Sequence, residues 1–130
     1  MTASNTTAGT TDFEQLAAGY IEAWNESDPA ARRAVVDRLF SEDVRYVDPL
    51  VDVSGREALV ATIAAVQGQF PGFTFRLSGT VDGHHGQARF GWELGPEEGA
   101  APVAGFDVAV TDGAGRIRRV HGFLDRVPAA

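Results

Sequence analysis

Three side chains in this sequence combine residue types and positions that suit proton transfer. Tyr20 lies on the apolar stripe of a helical pattern, Asp48 directly precedes a proline, and Asp107 interrupts an otherwise apolar strand pattern. Moving a proton beside a carbonyl group requires one group that takes the proton and returns it, and a donor that holds the enolate oxygen. Two carboxyls with different pKa values and a phenol would supply both functions.

Asp107 is the most informative of the three, because its strand pattern is otherwise apolar. Its neighbours on the same strand face, Gly105 and Ala109, are small and leave room for a ligand. A partly buried carboxyl costs free energy unless it is paired or protonated, so we expect Asp107 to face a functional cavity. The opposite face carries the apolar residues Phe106, Val108 and Val110. If helices and a cavity cover the side of Asp107, a second subunit must cover that outer face, which predicts a homodimer.

The other two residues have structural interpretations that stay open beside the chemical ones. A tyrosine on the apolar stripe of a helix is commonly a core residue whose hydroxyl bonds a neighbour, and this is the alternative for Tyr20. An aspartate before a proline commonly forms a turn by accepting from its own backbone, and this is the alternative for Asp48. The chemical interpretation requires both side chains to reach the cavity of Asp107.

The three histidines do not form a metal-binding pattern. His84 and His85 stand at the Asp82-Gly83 turn, where adjacent side chains point to opposite sides and are not expected to share an ion. A structural metal site usually has four ligands, and no third ligand is near this pair, so no metal is predicted. Alternation places His121 on the face of Ile117 in the last strand. Because histidine titrates near neutrality, His121 is a secondary candidate for the cavity.

Helical periodicity in the first forty residues predicts two helices. Thr11 and Glu14 form a capping box at the start of the first helix. Its apolar stripe consists of Phe13, Leu16, Ala17, Tyr20, Ile21 and Trp24. The second helix begins with Asp28 as its cap and Pro29 in the first helical position, and it ends near Ser41.

A short strand and a third helix are predicted next. Residues 44–48 alternate, and Pro49 ends this strand because it lacks a backbone donor. Ser54 and Glu57 form another capping box, which opens a helix that stops before Pro71.

From residue 73 onward the period of the apolar residues changes from 3.6 to 2, which predicts four strands. The turn sequences between them are Asp82-Gly83, Gly95-Pro96 through Pro102, and Asp112-Gly113-Ala114-Gly115. The order of elements therefore indicates an α+β fold with an antiparallel sheet.

Length and composition limit the classes of function. The 130 residues fit a single domain, expected at 11–130 after a disordered tail at 1–10. A net charge of −7 argues against a nucleic-acid partner, because phosphate binding needs a basic face. The chain has no cysteine, and no apolar run approaches the roughly 20 residues that span a bilayer. The N-terminus lacks the charged and apolar regions of a signal peptide, so we expect a cytoplasmic protein without a membrane partner.

From about Phe13 to Val127 the chain resembles the nuclear-transport-factor-2-like superfamily. Within it, the chain is similar to SnoaL-like polyketide cyclases and Δ5-3-ketosteroid isomerases. Residues 20–25 with Asp28, 39–44, 47–49 and 106–108 carry the resemblance. It implies a cone-like α+β fold in which three N-terminal helices pack on a curved antiparallel sheet. Helices and sheet would together enclose a pocket for a small apolar molecule, such as a steroid or polyketide.

The resemblance also implies roles for the three residues of the first paragraph. The general-base aspartate of the isomerases, in an Asp-Pro corner after the second helix, falls on Asp48. Their oxyanion-stabilising tyrosine falls on Tyr20, and their protonated aspartic acid falls on Asp107. The implied activity is a cofactor-free isomerase or cyclase acting on an apolar carbonyl compound. The possible pocket walls are Trp24, Phe75, Phe90 and Trp92.

A noncatalytic module that binds a small hydrophobic ligand, or a dimeric scaffold, is the alternative function. Convergence of Tyr20, Asp48 and Asp107 on one cavity would favour an enzyme, whereas an outward-pointing Asp48 would favour the binding module. The sequence has no phosphate-binding loop, dinucleotide fingerprint or nucleophile elbow, so no cofactor is predicted.

Overall fold

The computed structural model describes residues 12–128, in which three helices pack on one face of a six-stranded sheet. The helices are α1 (Phe13–Asn25), α2 (Pro29–Leu39) and α3 (Arg56–Gln69). The strands are β1 (Phe40–Val47), β2 (Asp52–Ser54), β3 (Thr74–His84), β4 (Gln87–Gly95), β5 (Val103–Thr111) and β6 (Ile117–Arg126). The tail predicted at residues 1–10 lies outside the described residues, and so does Thr11.

The strands lie in the order β2-β1-β6-β5-β4-β3. Neighbouring strands are antiparallel, except that β1 and β6 are parallel. A parallel pair cannot be joined by a hairpin, and α3 with four strands lies between β1 and β6 along the chain. Irregular registers in three strand pairs bend the sheet, which stays open between its edge strands β2 and β3. The predicted α+β architecture of three helices on a curved sheet is confirmed, but the sheet is mixed and not wholly antiparallel as predicted, because β1 and β6 are parallel. The three-residue strand β2 was not predicted, because it is too short to show alternation.

Two of the three predicted helix starts differ in the structure. Asp28 caps α2 as predicted, with Oδ2 accepting from the Ala31 amide at 2.9 Å. The cap of α1 is Asp12, whose Oδ1 accepts from the Gln15 amide at 3.1 Å. The predicted capping box at Ser54 is wrong: Ser54 pairs with β1 as the last residue of β2, and Gly55 precedes α3 with a φ of 93°.

The β3–β4 hairpin turns at His85-Gly86 and not at the predicted Asp82-Gly83. Both turn residues have positive φ, 49° and 75°, as the tight turns that join antiparallel strands require. Gly83 belongs to β3, where a Cβ atom would lie 2.5 Å from the ring of Phe13. The small residue at this position therefore serves the packing of α1 on β3.

The core lies between the helices and the inner face of the sheet. α1 packs on β3 and β4, whereas α3 packs on β1 and β2. The largest fully buried side chains are Phe40, Phe90, Leu59, Ile63, Ile117, Val36, Val44 and Val120. Within residues 12–128, no helix has both the length and the apolar character needed to cross a membrane.

Candidate functional site

Asp107 lies on the inner face of β5, under the helices. Its side chain is 3% exposed, and buried residues alternate along the strand with half-buried ones on the outer face. The apolar residues Phe106, Val108 and Val110 lie on that outer face, as predicted. The alternation of β5 has no interruption from residue 105 to residue 110, so the sequence pattern assigned the faces correctly.

Two side chains donate hydrogen bonds to the carboxyl of Asp107. The hydroxyl of Tyr20, on α1, donates a short hydrogen bond to Oδ2, and the indole Nε1 of Trp92, on β4, donates to Oδ1 at 3.1 Å. Burial raises the pKa of Asp107 to about 6 against the lowering effect of these two hydrogen bonds, and the charge of Asp48 raises it further. Asp107 can therefore hold a proton in mildly acidic solution, where ordinary carboxyls are ionised.

The small neighbours of Asp107 make room for protein side chains. A Cβ on Gly105 would lie 2.7 Å from the indole ring of Trp92, so the absent side chain gives Trp92 the space to reach Asp107. Ala109 is fully buried in the core. The prediction that these two positions leave room for a ligand is therefore wrong, although the cavity itself borders Asp107.

Asp48 uses its two carboxylate oxygens differently. Oδ1 accepts from the backbone amides of Leu50 and Val51, at 2.8 and 3.0 Å, and so forms the turn after β1. Oδ2 accepts from the hydroxyl of Tyr46 at 2.6 Å. A carboxylate has about four acceptor positions, so these three donors leave one, on Oδ2. The turn-forming interpretation thus holds for one oxygen, while the other accepts from Tyr46, which lines the cavity together with Asp48.

The two carboxyls lie on either side of Gly122 in β6. A Cβ at this glycine would be 2.9 Å from Oδ1 of Asp107 and 3.2 Å from Cβ of Asp48. Gly122 pairs with Asp107 across β5 and β6, and the preceding residue pairs with the last residue of β1. The parallel pairing of β1 with β6 therefore brings Asp48 next to Asp107.

An apolar cavity of about 230 Å³ borders Tyr20, Asp48 and Asp107. Its other lining residues are Ile21, Trp24, Tyr46, Leu50, Val66, Gln69, Phe70, Phe75, Trp92, Leu94, Val103, Phe123, Leu124, Val127 and Pro128. Leu50 and Val127 are 79% and 58% exposed and form the rim of the cavity. Three polar side chains predicted from sequence therefore border one mostly apolar cavity.

Three of the four predicted wall residues line the cavity, namely Trp24, Phe75 and Trp92. Phe90 does not, because α1 covers it: it is 1% exposed and lies beneath Tyr20 with ring centroids 5.0 Å apart. His121 is exposed on the outer face of β6. Arg118 is an extra residue in the pairing of β6 with β5, so it reverses the alternation between Ile117, which faces inward, and His121.

Tyr46 is a site residue that the sequence analysis did not single out. Burial raises its pKa, and the charges of Asp107 and Asp48 act in the same direction, so its hydroxyl stays protonated and donates. The signal was present in the sequence, because residues two apart on a strand share a face and Tyr46 precedes Asp48 by two. Residues of α3 and of the segment after β6 were missed for lack of any local signal.

Side-chain hydrogen bonds fix the end of α1 against the cavity wall. Asn25 accepts from the amide of Phe75 at 2.7 Å and donates to its carbonyl oxygen at 2.8 Å. Gln67, on α3, donates to the carbonyl oxygen of Trp24 at 2.9 Å. Phe75 and Trp24, with ring centroids 5.5 Å apart, are thereby held in one arrangement.

The histidine pair lies at the β3–β4 hairpin. His84 is the last residue of β3 and His85 the first residue of the turn, with ring centroids 5.7 Å apart. Neither lines the cavity. In the part of the chain that the structure describes, no three histidine or acidic side chains are grouped as metal ligands would be.

The family model described as a SnoaL-like domain matches residues 17–120. A candidate isomerase of the SnoaL-like family from Agrobacterium tumefaciens str. C58 is 42% identical over 87% of this chain and 97% of its own, with a TM-score of 0.83. Among curated proteins, none matches the sequence.

More distant structures share the fold. A candidate polyketide cyclase from Sinorhizobium meliloti has a TM-score of 0.67 at 16% identity, covering 83% of this chain and 93% of its own. A candidate SnoaL-like polyketide cyclase from Jannaschia sp. CCS1 has a TM-score of 0.66 at 17% identity, covering 92% of each chain. At such identities the similarity concerns the fold alone.

Proposed function

The chain belongs to the SnoaL-like domain family, and on that premise we propose that it is an enzyme that moves a proton beside the carbonyl group of a small apolar compound. The observation that carries this proposal is the convergence of Tyr20, Asp48 and Asp107 on one apolar cavity. Isomerase and polyketide cyclase are the activities named for similar structures. An isomerase of the ketosteroid type and an aldol-type cyclase share this first step, removal of a proton next to a carbonyl group.

Asp48 takes the proton in this mechanism. The free acceptor position on Oδ2 receives the proton from the carbon next to the carbonyl, and the C–H electron pair moves onto the carbonyl oxygen to form an enolate. Returning the proton to a different carbon completes an isomerisation. In a cyclisation the enolate carbon instead forms a bond to a second carbonyl carbon, and the proton on Asp48 passes to the resulting alkoxide. A positioned general base typically contributes about 10²–10⁴-fold to the rate.

In the substrate complex the hydroxyl of Tyr20 turns from Oδ2 of Asp107 to the enolate oxygen, and protonated Asp107 donates to the same oxygen. Burial keeps the pKa of Tyr20 well above its usual value, so its hydroxyl remains a donor. Asp107 is protonated below about pH 6, and the negative charge that develops on a neighbouring oxygen favours its protonated form further. Loss of one such donor typically costs about 10²–10³-fold in turnover.

The cavity favours a compact ligand. Its volume of about 230 Å³ is below the roughly 300–1,000 Å³ of sites for drug-sized molecules. The ligand is therefore a small carbonyl compound, or a steroid- or polyketide-like molecule of which only the reacting end enters. The exposed apolar rim at Leu50 and Val127 suits the remainder of such a molecule.

Noncatalytic binding of a small hydrophobic ligand is the second candidate, and one observation favours it. Tyr20 and Asp107 satisfy each other, and Asp48 is held by its own turn and by Tyr46, so these groups have partners without a substrate. In that case the polar groups would stabilise the cavity, and its apolar walls would bind the ligand.

Proton–deuterium exchange and isomerisation of 5-androstene-3,17-dione, together with exchange of a small cyclic ketone, would separate the two candidates. Asp48→Asn is nearly isosteric but cannot accept the proton, so turnover should fall by several orders of magnitude while the protein stays folded. Asp82→Asn makes the same change at an exposed position of β3 and should leave turnover unchanged. Equal rates in wild type and Asp48→Asn would remove Asp48 as the base. Binding without exchange would favour the noncatalytic candidate.

A further inference from the structure

Three segments of the chain border the mouth of the cavity. They are the turn after β1 with Leu50, the end of α3 with Gln69, and the segment after β6 with Val127, and these three lining residues are exposed. At the polar end of the cavity, Tyr20 and Asp107 are each only 3% exposed. A ligand that reaches these two side chains passes from an open rim into a closed interior, so one of the three segments has to move to admit it.

Side-chain hydrogen bonds hold two of these segments in place. Oδ1 of Asp48 accepts from the backbone amides of Leu50 and Val51, which closes the turn after β1. At the end of β6, the guanidinium of Arg126 donates to the carbonyl oxygen of Ala101 through Nε at 3.1 Å and through Nη2 at 2.8 Å. Moving either segment away from the mouth would break these bonds.

The end of α3 is held less firmly than the rest of that helix. The buried residues of α3 are Leu59 and Ile63, and in the described chain no residue of this helix after Ile63 is buried. The side chain of Gln67 still fixes its own turn, because Nε2 donates to the carbonyl oxygens of Trp24 and Glu26 at 2.9 and 3.0 Å. The firmly held part of α3 therefore ends at Gln67.

Gly68 follows in the helix without a packing reason. A Cβ atom at Gly68 would meet nothing within 4 Å, and alanine favours the helical state about fourfold more than glycine does. Gly72, with a φ of 83°, lies in the turn after the helix. Between the two glycines, Phe70 lines the cavity and stacks on Phe73 with ring centroids 5.7 Å apart. Because glycine adopts more backbone conformations than other residues, segment 68–72 can turn at both of its ends.

We propose that residues 68–72 form a flap over the mouth of the cavity, and that a ligand reaches the polar end when this flap swings away with Phe70. Gly68 and Gly72 are the hinges, and Gln67 is the last residue that stays in place. Opening unwinds the last turn of α3 and breaks the hydrogen bond of 3.1 Å from the Phe70 amide to the carbonyl oxygen of Val66. The flap controls access to the cavity, which an enzyme and a noncatalytic binding protein need alike.

The absence of cysteine from the chain allows this access to be measured with single engineered thiols. Val103→Cys places a thiol in the cavity wall, whereas Val120→Cys places one in the core, away from the cavity. The reagent is N-ethylmaleimide, a compact carbonyl compound. When opening is faster than labelling, the labelling rate is proportional to the open fraction of the protein. We expect the thiol at position 103 to react at least about tenfold faster than the thiol at position 120, which requires global unfolding.

Two flap variants should change labelling at position 103 in opposite directions. Gly68→Ala stabilises the last turn of α3 and should slow labelling about fourfold. Phe70→Ala removes the side chain that closes the mouth and should accelerate it. Ala61→Gly is the matched control, because it weakens α3 by the same helix propensity at an exposed position before the flap. This control should accelerate labelling at position 120 and leave labelling at position 103 unchanged.

Two results would overturn the flap. If Gly68→Ala labels at position 103 as fast as its parent, ligands use another side of the mouth. If labelling at position 103 accelerates in Ala61→Gly, access requires unfolding of the whole domain.

Hydrogen exchange decides the question without an engineered thiol, should Val103→Cys not fold. The amide of Phe70 should exchange faster than that of Ile63 in the wild type, and about fourfold more slowly in Gly68→Ala than in the wild type. Equal protection of the two amides in the wild type would overturn the flap. Neither measurement involves proton transfer at carbon, so a failure of the proposed function would leave both results standing.

Discussion

The hydroxyl of Tyr46 donates to Oδ2 of Asp48 over 2.6 Å, from two residues earlier on the same side of the chain. Because Oδ1 is held by the backbone amides of the following turn, Tyr46 decides how Oδ2 is oriented at the cavity. The proposed base is thus positioned by a rigid strand and by its own turn. Preorganisation of this kind is what a proton transfer at carbon requires.

Tyr46→Phe tests this positioning role. The variant keeps the ring against Trp24 but removes the donor to Asp48, so Oδ2 can rotate away from the substrate carbon. We expect kcat for proton exchange to fall by about 10–100-fold with little change in KM. Thermal unfolding would check that the fold is retained. If KM rises while kcat is unchanged, Tyr46 acts only as a wall of the cavity.

Asp107 should make the stability of the protein depend on pH. Its pKa is raised from 3.8 to about 6 in the folded protein, so between these values the folded state binds a proton that the unfolded chain has released. The free energy of unfolding therefore falls as pH rises through this window, by about 3 kcal/mol for a difference of about two pKa units. Above about pH 6 the ionised carboxyl of Asp107 no longer stabilises the folded state. Below pH 3.8 the stabilising contribution of its protonated form is fully present.

Asp107→Asn should abolish this pH dependence, because an amide does not titrate. Urea unfolding of both proteins at about pH 4 and about pH 8 measures it, and other groups cancel in the difference between wild type and variant. We expect the variant to gain about 3 kcal/mol relative to wild type over this range. Parallel stability profiles would mean that Asp107 ionises normally.

The same titration should appear in the rate of proton exchange. Because only protonated Asp107 can donate to the enolate oxygen, kcat/KM of the wild type should decrease as pH rises past about 6. Asn keeps an N–H donor, so the Asp107→Asn profile should lack this decrease. A wild-type rate that stays constant through this range would show that the proton on Asp107 is not used.

The outer face of the sheet leads us to expect a homodimer. Phe106 and Phe123 stack there with ring centroids 4.9 Å apart, and Phe123 is 49% exposed. A second copy covering this face would give a sedimenting mass twice the 13.8 kDa of the chain. Phe106→Glu should yield monomers, whereas Arg118→Glu, at an exposed polar position of β6, should not. A wild-type protein that sediments as a monomer would contradict the expectation.

Sequence patterns predicted the environment of a side chain correctly where alternation along a strand alone determines it. Asp107 was assigned to the inner face of β5 correctly because that strand keeps its period of two. His121 was misplaced because the extra residue in β6 depends on pairing with β5, which no local pattern reveals. The predicted turn at Asp82-Gly83 was wrong for a similar reason, since contact with Phe13 on a distant helix determines the role of Gly83.

The family resemblance, and not periodicity, indicated that Tyr20, Asp48 and Asp107 lie close together. Tyr20 and Asp107 are 87 positions apart and meet because α1 packs on the inner face of the sheet, to which the side chain of Asp107 points. The parallel pairing of β1 with β6, which brings Asp48 to them, could not be derived from the sequence pattern, because hairpin signals indicate only antiparallel neighbours. Trp92 fills the space beside Gly105 through a contact that only side-chain packing determines.

Gly122→Ala tests whether the spacing of the two carboxyls matters. The added methyl group would lie 2.9 Å from Oδ1 of Asp107 and 3.2 Å from Cβ of Asp48, which is too close for either contact to be kept unchanged. Both residues must therefore shift by a few tenths of an ångström, and since a misplacement of about 1 Å can cost on the order of 100-fold, we expect the rate to fall by about tenfold. Gly113→Ala, in the turn before β6 where an added Cβ meets nothing within 4 Å, is the matched control and should leave the rate unchanged. If Gly122→Ala exchanges protons at the wild-type rate, the reaction does not depend on the arrangement of Asp48 and Asp107, and the proposed division of roles between them is wrong.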